Sequence, residues 1–182
     1  MELEFLEIRK TVRQGYQVLL RVEGELFLPN DYPKIREFYE KLSNACFSWA
    51  QDQYGERLKK EYSALESNKD RARFRTQKYR LRVGRCFENE QYAAFLCESI
   101  LAEQWSGMGD RYRRISQVWN KQEETLLPPA QILKVFGLRL EKRMLPFSPD
   151  GIYPEGCSLV IFRNATQSLP FAEKKFSIQK ID

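Results

Sequence analysis

The chain has no histidine among its 182 residues. That absence removes Ser-His-Asp and Cys-His catalysis, zinc sites built on imidazole, and any histidine pH switch. Carboxylate-only or lysine-based chemistry stays open. The four cysteines, Cys46, Cys86, Cys97 and Cys157, include no C-x-x-C pair, so a structural zinc site or a thioredoxin-like motif is not indicated. No uncharged apolar run approaches the roughly 18 residues that a membrane span requires. The chain opens Met1-Glu2-Leu3-Glu4-Phe5, with acids where a secretory leader carries an apolar core. Repeats, low-complexity tracts and long linkers are missing as well. These absences predict a cytoplasmic chain with reduced, mostly buried thiols, or an extracytoplasmic one if the sequence is a domain cut from a longer protein. No catalytic residue, cofactor or metal is expected.

What the chain does hold is aromatic and mildly basic. Twelve Phe, nine Tyr and three Trp make 13% of the residues, which favours strands and broad packed faces. The net charge is +5 and the isoelectric point about 9.0, a weak pointer to an anionic partner. The length suits one domain over 1–182, with sub-lobes at 1–66 and 67–182.

Patterning predicts an α+β fold: a long helix in the N-terminal half packed on a mostly antiparallel sheet, with a second short helix. Residues 2–10 and 15–28 read as strands joined by an Arg13-Gln14-Gly15 turn, with Leu20, Val22, Leu26 and Leu28 on one parity. Asn30 or Asp31 can cap a helix that Pro33 opens. Ile35, Phe38, Tyr39, Leu42, Cys46, Trp49, Leu58, Tyr62 and Leu65 then recur at helical spacing over about 30 residues, with Gly55 as a break or bend. Residues 66–70 read as a polar connection. Tyr79, Leu81, Val83 and Phe87 share one parity of a strand, 92–101 reads as a central strand, and 112–119 alternates. A short helix starts at Pro128-Pro129 and runs through Phe136, and 138–145 is basic and amphipathic. From Pro146 to Phe162 the chain reads as a short strand, an Asp150-Gly151 turn and an apolar strand, with a last strand near 174–178.

Four pieces of this pattern carry a resemblance. They are Asp31-Tyr32-Pro33-Lys34-Ile35 with its helix, Trp105-Ser106-Gly107-Met108-Gly109, Gln117 through Leu133, and Phe147-Ser148-Pro149-Asp150-Gly151-Ile152. The order resembles a bacterial domain family of unassigned chemistry. That family forms the outer part of lysozyme-responsive anti-sigma factors and precedes some polysaccharide deacetylase domains. The resemblance implies an α+β binding or sensing module with a protein or cell-wall-type ligand. The chain departs from the family pattern in four ways, one being that Arg163-Asn164-Ala165-Thr166 replaces the family's aromatic stretch after the hairpin. It lacks the histidine of the family's Gly-Gly-Ala-His loop, it leaves only Gly137 to Pro146 for the helix before the closing hairpin, and it shows no membrane anchor.

Charge supplies the candidate binding residues. The stretch from Lys69 to Arg85 carries eight basic residues. On a strand, Lys78, Arg80 and Arg82 would stand about 7 Å apart, near the spacing of successive phosphates. Such a row suits nucleic acid or an acidic polymer. The favoured reading of the row is a solvated strand face paired with Glu88, Glu90, Glu98 and Glu103 across the hairpin. Arg111, Arg113 and Arg114 follow the Gly107–Gly109 loop, and glycine loops beside arginines can hold anions. Trp105 beside that loop is the aromatic expected to be exposed, whereas Trp49 and Trp119 read as core. Glu123-Glu124 reads as a polar turn, and Cys157 as a buried strand thiol. The favoured function is a non-catalytic binding module using Lys78, Arg80, Arg82, Trp105, Arg111, Arg113 and Arg114. A nucleic-acid-binding protein is the alternative, and a carboxylate hydrolase the weaker one.

Overall fold

Alternation of apolar and polar residues builds the first layer. In the computed structural model, which describes residues 1–102, 111–141, 144–166 and 168–178, strands β1 (Leu3–Gln14) and β2 (Gln17–Pro29) pair antiparallel. The chain reverses at Gly15, whose φ of 56° suits glycine. Tyr16 therefore stands fully exposed in the turn rather than starting the strand as expected. Leu20, Val22, Leu26 and Leu28 share the buried face of β2.

Across that face runs α1 (Pro33–Ser48), a π-helical turn (Trp49–Tyr54) and α2 (Gly55–Ser63). The expected long helix is present, wound more widely in its middle. Gly55 does not break it. The glycine lets the helix approach β1 so closely that a Cβ there would stand 3.0 Å from Val12 Cγ2. Gly24 does the same on β2, where a Cβ would lie 2.5 Å from Cζ of the buried Phe47 ring. The predicted polar connection at 66–70 is instead the start of α3 (Asn68–Arg73). Ser67 caps it by accepting a hydrogen bond from the Asp70 amide at 3.0 Å.

The cap of α1 is not local, contrary to expectation. Asn30 accepts from the Arg36 guanidinium at 2.9 Å, and Asp31 accepts from the Glu2 amide at 3.4 Å. The free amides of Lys34 and Ile35 donate instead to Glu124 Oε2, at 2.8 and 3.4 Å. Glu124 sits in the turn that sequence predicted, with a φ of 50°. A carboxylate on a helix N-terminus satisfies two amides and meets the positive end of the dipole.

The return strand β3 (Gln77–Glu88) lies parallel to β2, and β4 (Tyr92–Ala102), β5 (Arg111–Asn120) and the short β6 (Thr125–Leu126) follow antiparallel. They form a six-stranded sheet in chain order. After α4 (Pro129–Val135), strands β7 (Gly151–Glu155), β8 (Ser158–Arg163) and β9 (Ala172–Ser177) make a second, antiparallel sheet. The fold is α+β, dominated by antiparallel pairing. Among the described residues no helix is long and apolar enough to cross a membrane.

The large sheet is buried on both faces where the end of β3, the start of β4 and the end of β5 lie side by side. The helix side holds Tyr39, Phe47, Leu81, Val83, Phe95 and Trp119. As expected, Trp119 is core, and its Nε1 donates to the Tyr39 hydroxyl at 3.0 Å. Ala94, Val118, Ile132, Phe136, Ile152, Leu159 and Ile161 fill the other side, where the small sheet and α4 pack. Phe87 belongs to this second core, not to the parity of Tyr79, Leu81 and Val83. A bulge between Arg85 and Phe87 inserts one residue and flips the strand's faces. Leu138 and Leu140 pack on the same core from a stretch without helix or strand.

The closing hairpin turns later than its sequence implied. Gly151 is the first residue of β7, and the reversal falls at Gly156-Cys157, with φ of 55° at Gly156. Gly151 serves contact, not turning: a Cβ would lie 2.4 Å from Phe162 Cζ and 2.7 Å from Ser116 Oγ. Cys157 is consequently an exposed turn thiol, not a buried strand one.

The long-range cap can be tested. Glu124→Ala should lower stability by about 1 kcal/mol, and Glu124→Gln by less, because the amide oxygen still accepts. Equilibrium urea unfolding reads both. Equal stability of Glu124→Ala and the parent would contradict the cap.

Candidate functional site

A cleft of about 440 Å³ opens where the long helix stops covering the large sheet. Its roof is the end of α1 and the π turn, through Ala45, Cys46 and Trp49. Its floor is set by strand alternation. Tyr79 on β3, Cys97, Ser99 and Leu101 on β4, and Arg111, Arg113 and Ile115 on β5 all point to the helix side. Asn164 closes one edge; its amide nitrogen donates to the Arg114 carbonyl at 2.9 Å and its oxygen accepts from the Arg114 amide at 2.7 Å. That double bond occupies part of the open edge of β5.

Trp49 is 42% exposed, where sequence placed it in the core. Its ring lies parallel to Tyr54, 6.1 Å between centroids, and Arg57 stands 4.6 Å over the Tyr54 ring. A π turn displaces the helical stripe, and such turns occur often at functional sites. Here the displacement turns a flat aromatic face toward the cleft mouth instead of into the core. Ile115 is also 42% exposed beside it.

The thiols give the cleft its electrostatics. Cys46 is held down to about 7, first by the hydrogen bond it accepts from the Cys97 thiol, then by the Tyr79 hydroxyl and the Arg113 charge, with burial opposing. Cys97 is pushed up because that hydrogen bond retains its proton and because it is buried. Burial and the neighbouring Cys46 raise Tyr79, whose hydroxyl also meets Ser99. Among the described residues the cleft lining contains no carboxylate.

Of the seven residues singled out by sequence, the six described ones lie on two faces of the large sheet. Arg111 and Arg113 line the cleft. Lys78, Arg80 and Arg82 lie on the opposite face of the sheet, as strand parity requires. That face is a lattice of mixed sign. Arg80 pairs with Glu23 at 3.1 Å, and Arg82 stands between Glu25 on β2 and Glu98 on β4 in the ladder register. Its guanidinium lies 5.9 Å over the Phe27 ring. Arg114 continues the same ladder opposite Glu98 but is only 14% exposed. It donates to Glu98 at 3.2 Å, to the Tyr112 hydroxyl at 2.9 Å, to the Tyr153 hydroxyl at 2.9 Å and to Glu173 at 3.1 Å. Phe171 lies 5.1 Å from it. Burial works against its charge, yet the Tyr112 hydroxyl and the surrounding acid and phenols hold its proton more tightly than usual. Arg114 thus ties the large sheet to the small one. Trp105 and the Gly107–Gly109 loop lie outside the described residues.

Sequence reasoning missed Cys46, Cys97, Tyr79 and Trp49 as a group. A signal existed for Trp49, which precedes the polar run Gln51-Asp52-Gln53 where the apolar stripe lapses. Nothing in the spacing of Cys46 and Cys97 announces that they meet.

Comparison with known proteins locates the fold. The chain matches no protein-family model and no curated protein by sequence. Among solved structures it is similar to a DUF3298 family protein from Pseudomonas aeruginosa PAO1, with TM-score 0.52 and 13% identity over 97% of this chain and 89% of that one. It is also similar to a member of that family from Bacteroides fragilis NCTC 9343, with TM-score 0.60 and 8% identity over 97% and 90% of the two chains. The architecture is therefore DUF3298-like. Likeness at this identity carries the fold and leaves ligand and activity to the residues.

The order of causes at Cys46 is itself testable. Cys97→Ala should return the Cys46 titration from about 7 toward the ordinary thiol range, by more than Arg113→Gln does. Thiolate absorbance against pH measures this. A larger shift in Arg113→Gln would show that charge, not the thiol hydrogen bond, stabilises the thiolate.

Proposed function

We propose that this chain is a binding or sensing module whose cleft takes a ligand with an anionic group beside a flat apolar face. A cell-wall-type glycan bearing a carboxylate has that chemistry, and it falls within the protein or cell-wall-type ligands that the family resemblance implies. The observation that carries the reading is the placement of Trp49. Its exposed ring and the exposed Arg111 and Arg113 side chains border one concavity. Aromatic faces stack on sugar and other flat rings, and a guanidinium meets a carboxylate in two parallel hydrogen bonds. The cavity of about 440 Å³ is within the range of small-ligand sites.

The nucleic-acid reading has less support. Its row, Lys78, Arg80 and Arg82, shares a face with Glu23, Glu25 and Glu98. Alternating charge cancels much of the field that phosphate binding draws on. The carboxylate-hydrolase reading lacks its acid pair among the described cleft residues.

Calorimetric titration with a muropeptide carrying a free carboxylate, against a neutral chito-oligosaccharide, tests the proposal. The acidic ligand should bind. Trp49→Ala and Arg113→Ala should each weaken it by roughly tenfold, about 1.4 kcal/mol, and Arg80→Glu should leave it unchanged. Unaltered affinity in the first two variants, or equal binding of the neutral sugar, would overturn the assignment. Retention on DNA that falls steeply with salt and is lost in Arg80→Glu would favour the nucleic-acid reading instead.

A further inference from the structure

The four thiols of this chain occupy three kinds of place. Cys86 sits in the β3 bulge, where its Sγ donates to the Ala94 carbonyl at 3.4 Å and burial pushes it up to about 12. A protonated, hydrogen-bonded thiol of that kind is inert. Cys157 stands exposed in a hairpin turn, apart from the cleft. Cys46 and Cys97 differ from both. They come from different elements, α1 and β4, and stand as neighbours in the wall of one cleft.

The pair is graded in access. Cys46 is partly exposed at the cleft, while Cys97 is 3% exposed beneath it. The groups that face Cys46 are Tyr79 from β3, Cys97 from β4 and Arg113 from β5, with Arg111 lining the same cavity. A hydroxyl, a thiol and guanidinium charge all favour the thiolate, and the thiolate is the nucleophile. An accessible thiolate touching a buried thiol is the arrangement of an attacking and a resolving cysteine.

We propose that Cys46 and Cys97 are a hydroperoxide-responsive pair. The Cys46 thiolate attacks the distal oxygen of a hydroperoxide, and the O–O bond breaks. The sulfur is oxidised to a sulfenic acid, and the departing alkoxide or hydroxide takes up a proton as alcohol or water. Cys97 sulfur then attacks the Cys46 sulfur, the S–O bond breaks, and the Cys97 proton leaves with the oxygen as water. Two thiols and one hydroperoxide give one disulfide, one alcohol or water, and one further water. The product bonds α1 to β4 across the cleft wall and removes a negative charge from beside Arg113. This inference stands whether or not the cleft holds a ligand.

Hydrogen peroxide on the full chain, in a Cys157→Ser background, is the test. Non-reducing peptide mass spectrometry should find Cys46 joined to Cys97, lighter by two hydrogens and restored by dithiothreitol. With Cys97→Ala, dimedone should label Cys46; with Cys46→Ser, neither label nor cross-link should form. Iodoacetamide on the unsubstituted chain, which depends on no variant folding, should alkylate Cys46 at least roughly tenfold faster than Cys97. Cys46 oxidised to sulfinic acid without a cross-link, a cross-link through Cys86, or alkylation of Cys97 as fast as Cys46 would each overturn the proposal.

Discussion

The seat of Phe47 on Gly24 is the contact on which the other features rest. The ring occupies the space where any side chain at position 24 would stand, 2.5 Å from an added Cβ. Burying a phenyl ring completely is worth about 1.5–3 kcal/mol, and here the burial also fixes the height of the long helix. Toward one end of the rod, Trp119 Nε1 reaches the Tyr39 hydroxyl at 3.0 Å. Toward the other, Gly55 lets Val12 close in. A helix held at these points cannot slide along the sheet. Cys46 precedes Phe47 by one residue and Trp49 follows it by two, so the same seat puts both over β3 and β4. The helix leaves Arg111, Arg113 and Ile115 exposed on β5.

The two faces of the large sheet do different work because parity separates them. One face carries the helix, the main core and the cleft. The other is a charged lattice over β1–β3 and a second core over β3–β5. Arg114 stands where lattice meets core, with two carboxylates and two phenols on its guanidinium. A largely covered arginine with this many partners is a fastening between the two sheets, and its bond to the more covered Glu98 counts for more than the one to the exposed Glu173. The fold shared with DUF3298 proteins supplies this framework. The Cys46–Cys97–Tyr79–Arg113 grouping is a matter of this chain's own residues.

Periodicity made the architecture legible. The stripe of α1 and the alternation of β2 and β5 follow from burying one face of each element, and the strands read at 15–28, 92–101 and 112–119 are present as β2, β4 and β5. Local breaks were not legible. The bulge at Cys86 reverses the parity of Phe87, and the nearby Gly84 does not say where along the strand the extra residue falls. Asp150-Gly151 has the composition of a turn, but the glycine is there for the Phe162 ring, and the turn is at Gly156. The cap of α1 lies far along the chain at Glu124, beyond any local pattern. For the site, alternation sufficed to put Arg111 and Arg113 on one face and Arg114 on the other. It could not reveal that Lys78, Arg80 and Arg82 share the face of Arg114, because that depends on the pairing of three strands. The meeting of Cys46 with Cys97 depends on where the helix rests, which is a tertiary fact.

The most direct measurement is the alkylation rate of Cys97 in Gly24→Ala, under native conditions and beside the variant's global stability. If Phe47 on Gly24 holds the cleft wall, the added methyl lifts the helix locally. Cys97 should then react faster than the loss of global stability explains, and trimming Phe47→Leu in the same chain should slow it again. A rate that tracks global unfolding alone, unaffected by Phe47→Leu, would contradict the account.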